Sequence, residues 1–290
     1  MAAAGRTCMI HAQRGGGKTW LALAVAKALA NGEDLLGWRC PKYARVLYVD
    51  GELPGSFLQE RLGKFRQSPP GCFHVLCRDT YLLKKRAMPD LGAEGGRVEL
   101  DRIIKKANPD VVILDSLSTL VRSGVENEAE SWTPIQDWLL MHRWQGRSII
   151  LIHHEGKGGK PRGSSKREDV LDTMIGLRKH NDQCGKDESV FELTFSKARD
   201  FFGDDAEPML IKLKVSNGQV SWAHETVHDA RLERIRELRA SGMKQKDIAK
   251  ELGMTSGRVS QLMKEVIQGE NVVPFRKSGA GASQGDRERD

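Results

Sequence analysis

A glycine-rich stretch near the start of the chain, residues 11–19 with the sequence His-Ala-Gln-Arg-Gly-Gly-Gly-Lys-Thr, restricts the possible folds more than any other feature. It follows an apolar run at residues 8–10 and precedes an alanine- and leucine-rich stretch at residues 20–30. This order predicts a strand, a tight loop and a helix N-terminus. Small residues let successive backbone N–H groups converge on an anionic oxygen, and the helix dipole adds to the attraction. The pattern is typical of a phosphate-binding loop, or P-loop.

The last side chains of this loop indicate ATP as the ligand. Lys18 is expected to reach the β- and γ-phosphates, and Thr19 to ligate Mg²⁺. The predicted ATP-binding residues are Arg14, Gly15, Gly16, Gly17, Lys18 and Thr19. A glycine-rich turn that only caps a helix is the alternative. Because Ala12 stands where the motif has its first glycine, the geometry of the loop stays open at this point.

Two apolar segments further along the chain lead into carboxylates. Residues 45–49 are followed closely by Glu52, and residues 111–114 by Asp115. Ligands of open α/β sheets bind at the carboxyl ends of the strands. Glu52 is therefore predicted to position and deprotonate the attacking water, with a solvated turn acid as the alternative. Asp115 is predicted to hold the water shell of Mg²⁺ beside the hydroxyl of Thr19.

A third apolar segment, residues 148–152, leads into His153 and His154. Adjacent residues of a strand point to opposite faces, so the pair cannot chelate one metal ion side by side. A histidine at this position is instead predicted to hydrogen-bond the γ-phosphate. A strand-end histidine satisfied by backbone groups is the alternative.

The stretch after the histidines is basic and rich in glycine, which suits contact with a phosphate backbone. Its predicted DNA-binding residues are Lys157, Lys160, Arg162, Lys166 and Arg167. A solvated run of charge is the alternative. The 290-residue chain carries 46 Lys and Arg against 39 Asp and Glu, a formal net charge of +7, which favours a polyanionic partner such as nucleic acid.

Composition excludes several other classes of protein. The five cysteines form no C-x-x-C pair, which indicates reduced thiols and a cytoplasmic location. The sequence has no 18-residue apolar run and no signal-peptide pattern, so we expect a soluble protein with no membrane partner. Residues 5–11 alone form the leading strand, and no domain is expected before it.

Five short motifs recur in a familiar order: Gly-Gly-Gly-Lys-Thr, Leu-Tyr-Val-Asp-Gly-Glu-Leu-Pro, Val-Ile-Leu-Asp-Ser-Leu, Ile-His-His-Glu-Gly-Lys and Arg-Gly-Ser-Ser. Over roughly residues 6–200 this order resembles the RecA-like ATPases related to the RepA-type hexameric helicases of plasmids and phages. The resemblance implies an α/β fold, a RecA-like P-loop NTPase with a mostly parallel central sheet. It also implies ATP and Mg²⁺ as cofactors and a homo-oligomeric ring, a hexamer in that family.

The same resemblance implies roles for individual residues. Glu52 corresponds to the catalytic carboxylate and Asp115 to the Walker B acid, while the P-loop lysine and threonine bind phosphates and Mg²⁺. His154 corresponds to the residue that senses the γ-phosphate. Arg61, nine residues after Glu52, matches a family arginine near the nucleotide.

Lys197 and Arg199 form a Lys-x-Arg motif in a predicted late strand, which resembles the trans-acting pair of RecA-like helicases. Alternate residues of a strand face the same way, so both charges would meet one γ-phosphate of the neighbouring subunit. RepA-type proteins place their finger arginine elsewhere, and the position that aligns with it by its spacing from Arg162 is Asp172. Which arginine acts as the finger therefore stays open. A salt bridge on the strand face is the alternative for Lys197 and Arg199.

Residues 1–226 are predicted to form the RecA-like ATPase domain. Its last part is a predicted hairpin, in which residues 209–215 and 219–222 flank the turn signal Asn217-Gly218. Residues 227–269 are predicted to form a DNA-binding domain, and residues 270–290, which mix Gly, Ser and charged side chains, a disordered tail.

This second predicted domain is a small all-α helix-turn-helix module. Residues 245–252 and 258–266 have helical patterns, and Gly253 lies in the turn between them. The side chains expected to enter a DNA groove are Thr255, Ser256, Arg258, Ser260 and Gln261. A helical pair that clamps an oligomer is the alternative.

Two functions compete. The first is a DNA-stimulated, ring-forming ATPase, a replicative helicase or motor of a plasmid, phage or mobile element. Single-stranded DNA would pass through its channel loop, duplex DNA would bind the helix-turn-helix, and a replication initiator or primase is a candidate partner. The second is a DNA-binding regulator that uses ATP binding as an assembly switch. Stimulation of hydrolysis by single-stranded DNA distinguishes the two.

Overall fold

A computed structural model of the protein describes residues 5–123, 129–156, 166–180 and 187–270. The chain divides into two compact units, Met1–Val227 and His228–Asp290. Within the described ranges, no helix is both long enough and apolar enough to cross a membrane.

The first unit is built on one large sheet. In chain order its described strands are β1 (Thr7–Ala12), β2 (Val46–Asp50), β3 (Phe73–Cys77), β4 (Val111–Asp115), β5 (Ser148–His154), β6 (Thr173–Lys179), β7 (Glu188–Ala198), β8 (Met209–Ser216) and β9 (Gln219–Thr226). Their spatial order is β3-β2-β4-β5-β1-β6-β7-β8-β9. Neighbours from β3 to β6 pair in parallel, and the pairs from β6 to β9 are antiparallel. The predicted mostly parallel sheet is confirmed, whereas β6 was not predicted.

Helices cover both faces of this sheet. In chain order they are α1 (Lys18–Asn31), α2 (Gly55–Leu62), α3 (Arg78–Leu82), α4 (Glu94–Ala107), α5 (Leu117–Leu120), α6 (Ala129–Trp144) and α7 (Lys166–Asp169), with a 3₁₀ turn at Gly203–Ala206. One core joins the sheet to α1 and α2, and a second core on the other face joins it to α4, α5 and α6. Strands β1, β2, β4 and β5 are buried along their whole length because both faces are covered.

The parallel strands place four chain segments at one edge. Asp50 lies opposite Asp115 in the register of β2 and β4, and Ala12 lies opposite His154 in that of β1 and β5. The P-loop starts at this carboxyl edge. The edge is therefore the place where an α/β sheet of this kind binds its ligand.

The last two strands form the predicted hairpin. Asn217 and Gly218 at its tip have φ angles of 51° and 73°. Positive φ at both central residues is the signature of the two-residue turn that matches the twist of a hairpin. This local prediction is confirmed.

Three helices form the described part of the second unit: α8 (Val227–Ala240), α9 (Gln245–Glu251) and α10 (Ser256–Glu270). Their shared core consists of Ile235, Leu238, Ile248, Ala249, Val259, Leu262 and Val266. Gly253, with a φ of 60°, lies in the turn between α9 and α10. The two helices and the glycine turn between them agree with the pattern predicted from the sequence. The use of this pair as a DNA-binding helix-turn-helix stays a proposal.

Candidate functional site

The P-loop lies between β1 and α1 and takes a backbone path that requires glycine. Gly15 and Gly17 have φ angles of 74° and 82°, in the left-handed region. A Cβ on Gly17 would lie 2.6 Å from the ring of Phe191, and a Cβ on Gly16 would lie 2.9 Å from the Cβ of Ala12. Alanine in place of the first glycine of the motif is therefore accommodated because position 16 has no side chain.

Lys18 points into the loop. Its Nζ donates hydrogen bonds to the carbonyl oxygens of Ala12, at 2.9 Å, and Gln13, at 2.8 Å. Burial lowers the pKa of Lys18, and the carboxylates of Asp115 and Glu52 oppose this shift. The ammonium group thus lies at the N-terminus of α1, where the backbone N–H groups also attract an anion.

Asp115 ends β4 beside the P-loop and fits a magnesium ligand. The hydroxyl of Thr19 donates a hydrogen bond to it, and that of Tyr48 donates another at 2.6 Å. Burial raises the pKa of Asp115, and these two hydrogen bonds oppose the shift. Mg²⁺ prefers oxygen ligands and uses one or two carboxylates together with waters and substrate phosphates. The described residues contain no group of three or more His, Cys, Asp or Glu side chains that could hold a metal ion.

Glu52 follows β2 and contacts His154, which ends β5. Its Oε2 accepts a hydrogen bond from Oγ of Ser116 at 3.1 Å and lies 3.3 Å from Nε2 of His154. Burial, and then the charge of Lys18, lowers the pKa of His154, while Glu52 opposes the shift. The Glu52 side chain is 46 % exposed. The Glu52 carboxylate is thus oriented by a hydrogen bond and remains accessible to solvent. These are properties expected of a group that takes a proton from water.

Asp50 is a site residue that the sequence analysis did not single out. Its Oδ1 accepts hydrogen bonds from the backbone N–H of Glu52, at 2.8 Å, and of Leu53, at 2.7 Å. Its Oδ2 is buried and has no hydrogen-bond partner in the described part of the chain. Burial, and then the charge of Asp115, raises the pKa of Asp50 to about 7. The carboxyl group holds the turn that presents Glu52, and the Asp-Gly-Glu spacing after a strand is the signal that could have found it.

The Asp50→Asn substitution should make unfolding less dependent on pH. A carboxyl group whose folded pKa lies above its ordinary value of 3.8 stabilises the fold most below that value and loses this contribution as the pH rises to about 7. Between pH 4 and pH 8 we expect the free energy of unfolding of the wild type to fall by about 2–4 kcal/mol relative to the variant. Denaturant titrations at several pH values measure this difference.

Asp79→Asn is the matched control, since Asp79 also accepts a backbone N–H, from Gly55 at 2.7 Å, but is only partly buried. A difference between the wild type and Asp50→Asn that stays constant from pH 4 to pH 8 would contradict the protonation of Asp50 in the folded protein.

Arg61 lies on α2 close to the start of α1. Its Cζ is 5.0 Å from the centroid of the Trp20 ring, and Trp20 directly follows Thr19. Arg61 therefore lies near the end of α1 that follows the P-loop. Its contact with a nucleotide stays a prediction.

Lys197 and Arg199 lie at the opposite end of the sheet, where the parallel strands begin. Because β7 runs antiparallel to β6, its last residue pairs with Thr173, at the amino end of the parallel strands. Lys197 donates a hydrogen bond to the carbonyl of Glu168, and Arg199 donates one to that of Asp169. The two cations thus contact the same segment but lie far from the P-loop of their own chain.

Asp172, which the sequence analysis aligned with the finger arginine of RepA-type proteins, is a buried hydrogen-bond acceptor. Its carboxylate accepts hydrogen bonds from the backbone N–H of Thr7 at 3.0 Å and from Arg143 at 3.1 Å. It also lies 3.6 Å from Nη1 of Arg199. An ion pair is thus available to Arg199 within its own subunit, and both interpretations of this arginine stay open.

The basic stretch after β5 is only partly described. Lys157, Lys160 and Arg162 lie outside the described residues, as does the side chain of Lys166. Arg167 is described and 7 % exposed. Its Cζ lies 5.1 Å from the centroid of the Trp132 ring, and its Nη1 lies 3.4 Å from Nε2 of His153. A buried guanidinium packed on an indole ring is not accessible to a DNA backbone, so the prediction for Arg167 is corrected to a structural role.

The side chains predicted to enter a DNA groove lie at the start of α10. Four of them are exposed: Thr255, Ser256, Arg258 and Gln261. Ser260 is half-buried. Arg258 donates a hydrogen bond to Gln261 at 3.3 Å. Their exposure leaves this face accessible within the second unit, and its contact with DNA stays a proposal.

Comparisons with known proteins agree with the geometry of the first unit. A family model described as AAA domain matches residues 1–160. A KaiC-like protein from the hyperthermophilic archaeon Pyrococcus horikoshii OT3 is similar in structure, with a TM-score of 0.54 and 14 % identity over 76 % of this chain and 90 % of that chain. The flagellar accessory protein FlaH from Methanocaldococcus jannaschii has a TM-score of 0.50, with the same identity and coverage. No curated protein matches the sequence. At this identity the likeness shows the fold alone, a RecA-like P-loop fold.

Proposed function

The chain belongs to the AAA domain family, and on that premise we propose that it is a DNA-stimulated, ring-forming ATPase that acts as a replicative helicase or helicase-like motor of a plasmid, phage or mobile element. Family and fold establish the coarser statement, a P-loop ATPase. The observation that supports hydrolysis most directly is the meeting of the P-loop, Asp115 and the Glu52–His154 pair at one sheet edge.

The proposed reaction uses these side chains as follows. The P-loop and Lys18 hold the β- and γ-phosphates of ATP. A water beside Glu52 attacks the γ-phosphorus and passes a proton to this carboxylate, and the bond to the β–γ bridging oxygen breaks to leave ADP and phosphate. Mg²⁺ held by Thr19 and Asp115 would neutralise charge on the phosphates. His154, 3.3 Å from Glu52, is positioned to respond when the γ-phosphate leaves.

The separation of the site from Lys197 and Arg199 supports assembly into a homo-oligomer. The two cations lie at the amino edge of the sheet and the P-loop at its carboxyl edge. A head-to-tail interface brings such opposite surfaces of successive copies together, and it closes into a ring when the rotation permits. We propose that the ring is a hexamer and that Lys197 and Arg199 act on the ATP of the next subunit.

DNA is the proposed partner of two separate surfaces. The loop with Lys157, Lys160, Arg162 and Lys166 would contact the phosphates of a single strand in the channel. The exposed start of α10 would contact duplex DNA. A replication initiator or primase would then be a further partner.

A regulator is the second candidate, because α9 and α10 form a compact pair with exposed polar side chains. In this function ATP binding would switch assembly, and the protein would bind one duplex site tightly with slow, unstimulated turnover. Measuring ATPase rates with and without single-stranded DNA, beside a strand-displacement assay, distinguishes the motor from the regulator.

Mutations of the two proposed DNA-binding surfaces should have different effects on DNA binding. Lys160→Ala combined with Arg162→Ala should weaken single-strand binding irrespective of sequence and reduce the slope of log K against log salt by about 1.4, because each lost phosphate contact removes about 0.7. Deletion of residues 228–290 should leave DNA-stimulated ATPase activity intact and remove duplex preference, because base-edge contacts specify the site.

The matched control for the loop variant is Lys105→Ala with Lys106→Ala, which removes two exposed charges from α4. If the truncation abolishes stimulation while the loop variant behaves as the wild type, the motor is contradicted and the regulator is favoured.

A further inference from the structure

A pocket of about 640 Å³ opens beside the P-loop and extends from it over β6 and β7, away from Glu52 and Asp115. Its wall combines loop residues 13–16 with side chains of β6 and β7. It lies next to His11, which points to the sheet face opposite Ile10 and Ala12, the residues that pack with α1. Pockets of this size hold small molecules.

His11 supplies an unsatisfied polar atom at this pocket. The residue is 5 % exposed, and its Nδ1 lies 2.9 Å from Oε1 of Glu155. A carboxylate only accepts hydrogen bonds, so Nδ1 carries the proton and, in the neutral ring, Nε2 is an acceptor. Nε2 is buried and has no hydrogen-bond partner in the described ranges. A buried acceptor of this kind costs free energy unless a ligand donates to it.

Gly176 keeps the space in front of this ring open. A Cβ at position 176 would lie 3.0 Å from Oγ1 of Thr194, 3.2 Å from Cε1 of His11 and 3.5 Å from Nε2 of His11. Gly176 is not among the residues with positive φ, so its backbone conformation does not require glycine. Glycine inside a strand is unfavourable and marks either a β-bulge or the close approach of a ligand or backbone. The bulge of this strand pair lies between Met174 and Ile175, just before Gly176, whereas the space over Gly176 itself is bounded by His11 and Thr194.

The charged and polar side chains of the pocket indicate which kind of ligand it would bind. The cations Arg14, Arg178 and Lys179 are exposed and lie at the rim. Half-buried Thr194 lines the interior beside His11, and half-buried Glu192 lies opposite Arg178 in the register of β6 and β7. The inner groups accept hydrogen bonds from amino and ring N–H groups, and the rim attracts an anion.

We propose that this pocket binds one nucleoside monophosphate unit, with its base towards His11 and Thr194 and its phosphate towards Arg14 and Arg178. The unit is either one nucleotide of a single strand or a free mononucleotide. The single-strand source rests on the proposed DNA-stimulated function, whereas the free nucleotide does not.

The pocket is linked to the hydrolysis site by short contacts. Glu155, which holds His11, directly follows His154 in the chain. Its backbone N–H donates to the carbonyl of Ala12 at 3.0 Å, and the same carbonyl accepts Nζ of Lys18. Because loop residues 13–16 also form part of the pocket wall, a bound nucleotide unit is expected to alter ATP turnover.

Binding is measured by isothermal titration calorimetry in a Lys18→Ala background, in which nucleotide binding at the P-loop is expected to be lost or weakened. The probes are AMP, GMP, CMP and UMP, inorganic phosphate, adenosine, and a ten-nucleotide single strand. In this background, Gly176→Ala should lower the affinity for the bound probe at least about tenfold, a change of about 1.4 kcal/mol, because its Cβ enters the pocket. Thr194→Val should lower it several-fold through the lost hydrogen bond.

Gly95→Ala is the matched control, since a Cβ at that position meets nothing within 4 Å. Thermal unfolding shows that each variant is folded, and Thr194→Val keeps the test valid if Gly176→Ala is not. Binding of the mononucleotides indicates a free ligand, and binding of the oligonucleotide alone indicates a single strand. Equal affinities for Gly95→Ala, Gly176→Ala and Thr194→Val, or no binding of any probe, would overturn the proposal. Failure of DNA to stimulate the wild-type ATPase would instead contradict the proposed function.

Discussion

Replacing Glu52 by glutamine should reduce ATP hydrolysis by about 10²–10⁴-fold and leave ATP binding intact, because removal of a general base typically has an effect of this size. Glutamine keeps the shape of the side chain and can still accept a hydrogen bond from Ser116, which bonds Oε2 at 3.1 Å in the wild type. It cannot take a proton from water. Single-turnover hydrolysis and a separate measurement of ATP affinity distinguish the two effects.

Two further variants serve as controls for this result. Lys18→Ala should abolish nucleotide binding or turnover, because the phosphates lose their cation. Glu60→Gln changes an exposed glutamate of α2, paired only with Lys64 in the described contacts, and should hydrolyse ATP as the wild type does. If Glu52→Gln also hydrolyses at the wild-type rate, Glu52 is merely a turn acid and the catalytic role is wrong.

Arg199→Ala should lower turnover by about 10³-fold or more if this residue acts on the ATP of a neighbouring subunit, the effect of a trans-acting arginine. Activity of the wild type should then rise with protein concentration. Mixing Arg199→Ala with Lys18→Ala should restore part of the turnover, because some mixed interfaces combine an intact P-loop with an intact Arg199. Specific activity across a series of mixing ratios measures this recovery.

Arg6→Ala is the control, since Arg6 is a partly exposed arginine whose Nη2 lies 3.1 Å from Asp200 beside the same segment. Arg199 also lies 3.6 Å from Asp172 within its own subunit. If its role is only this ion pair, Arg199→Ala will lower the unfolding temperature and the mixtures will show no recovery. Absence of recovery in a mixture shown to co-assemble contradicts the trans role, and Lys197→Ala tested in the same way examines the second cation.

Arg167 shows how far a sequence pattern can mislead. Its position at the end of a basic, glycine-rich stretch favoured contact with DNA, yet its side chain is buried against Trp132, about 35 residues earlier in the chain. Charge patterning records which side chains are ionised. It does not record which of them the packing of α7 against α6 removes from solvent.

The parts of the site that depend on local residue order could be predicted from the sequence. The P-loop, and the strands that end in Asp115 and His154, follow from short apolar runs, glycine spacing and adjacent carboxylates, all of which act within a few residues. Glu52 was also found in this way, because it follows β2 so closely. These features reappear in the structure at one sheet edge.

The distant residues that complete the site could not be predicted from the sequence, because they meet through long-range packing. Three such features arise where separate strands meet in one register: Phe191 under Gly17, the Asp50 oxygen that has no hydrogen-bond partner among the described residues, and the open space over Gly176. Because β7 runs antiparallel to β6, the Lys-x-Arg pair lies near the amino ends of the parallel strands. Contacts of this kind depend on which strands become neighbours, and strand order is set by the packing of two cores against one sheet, which no local pattern of residues encodes.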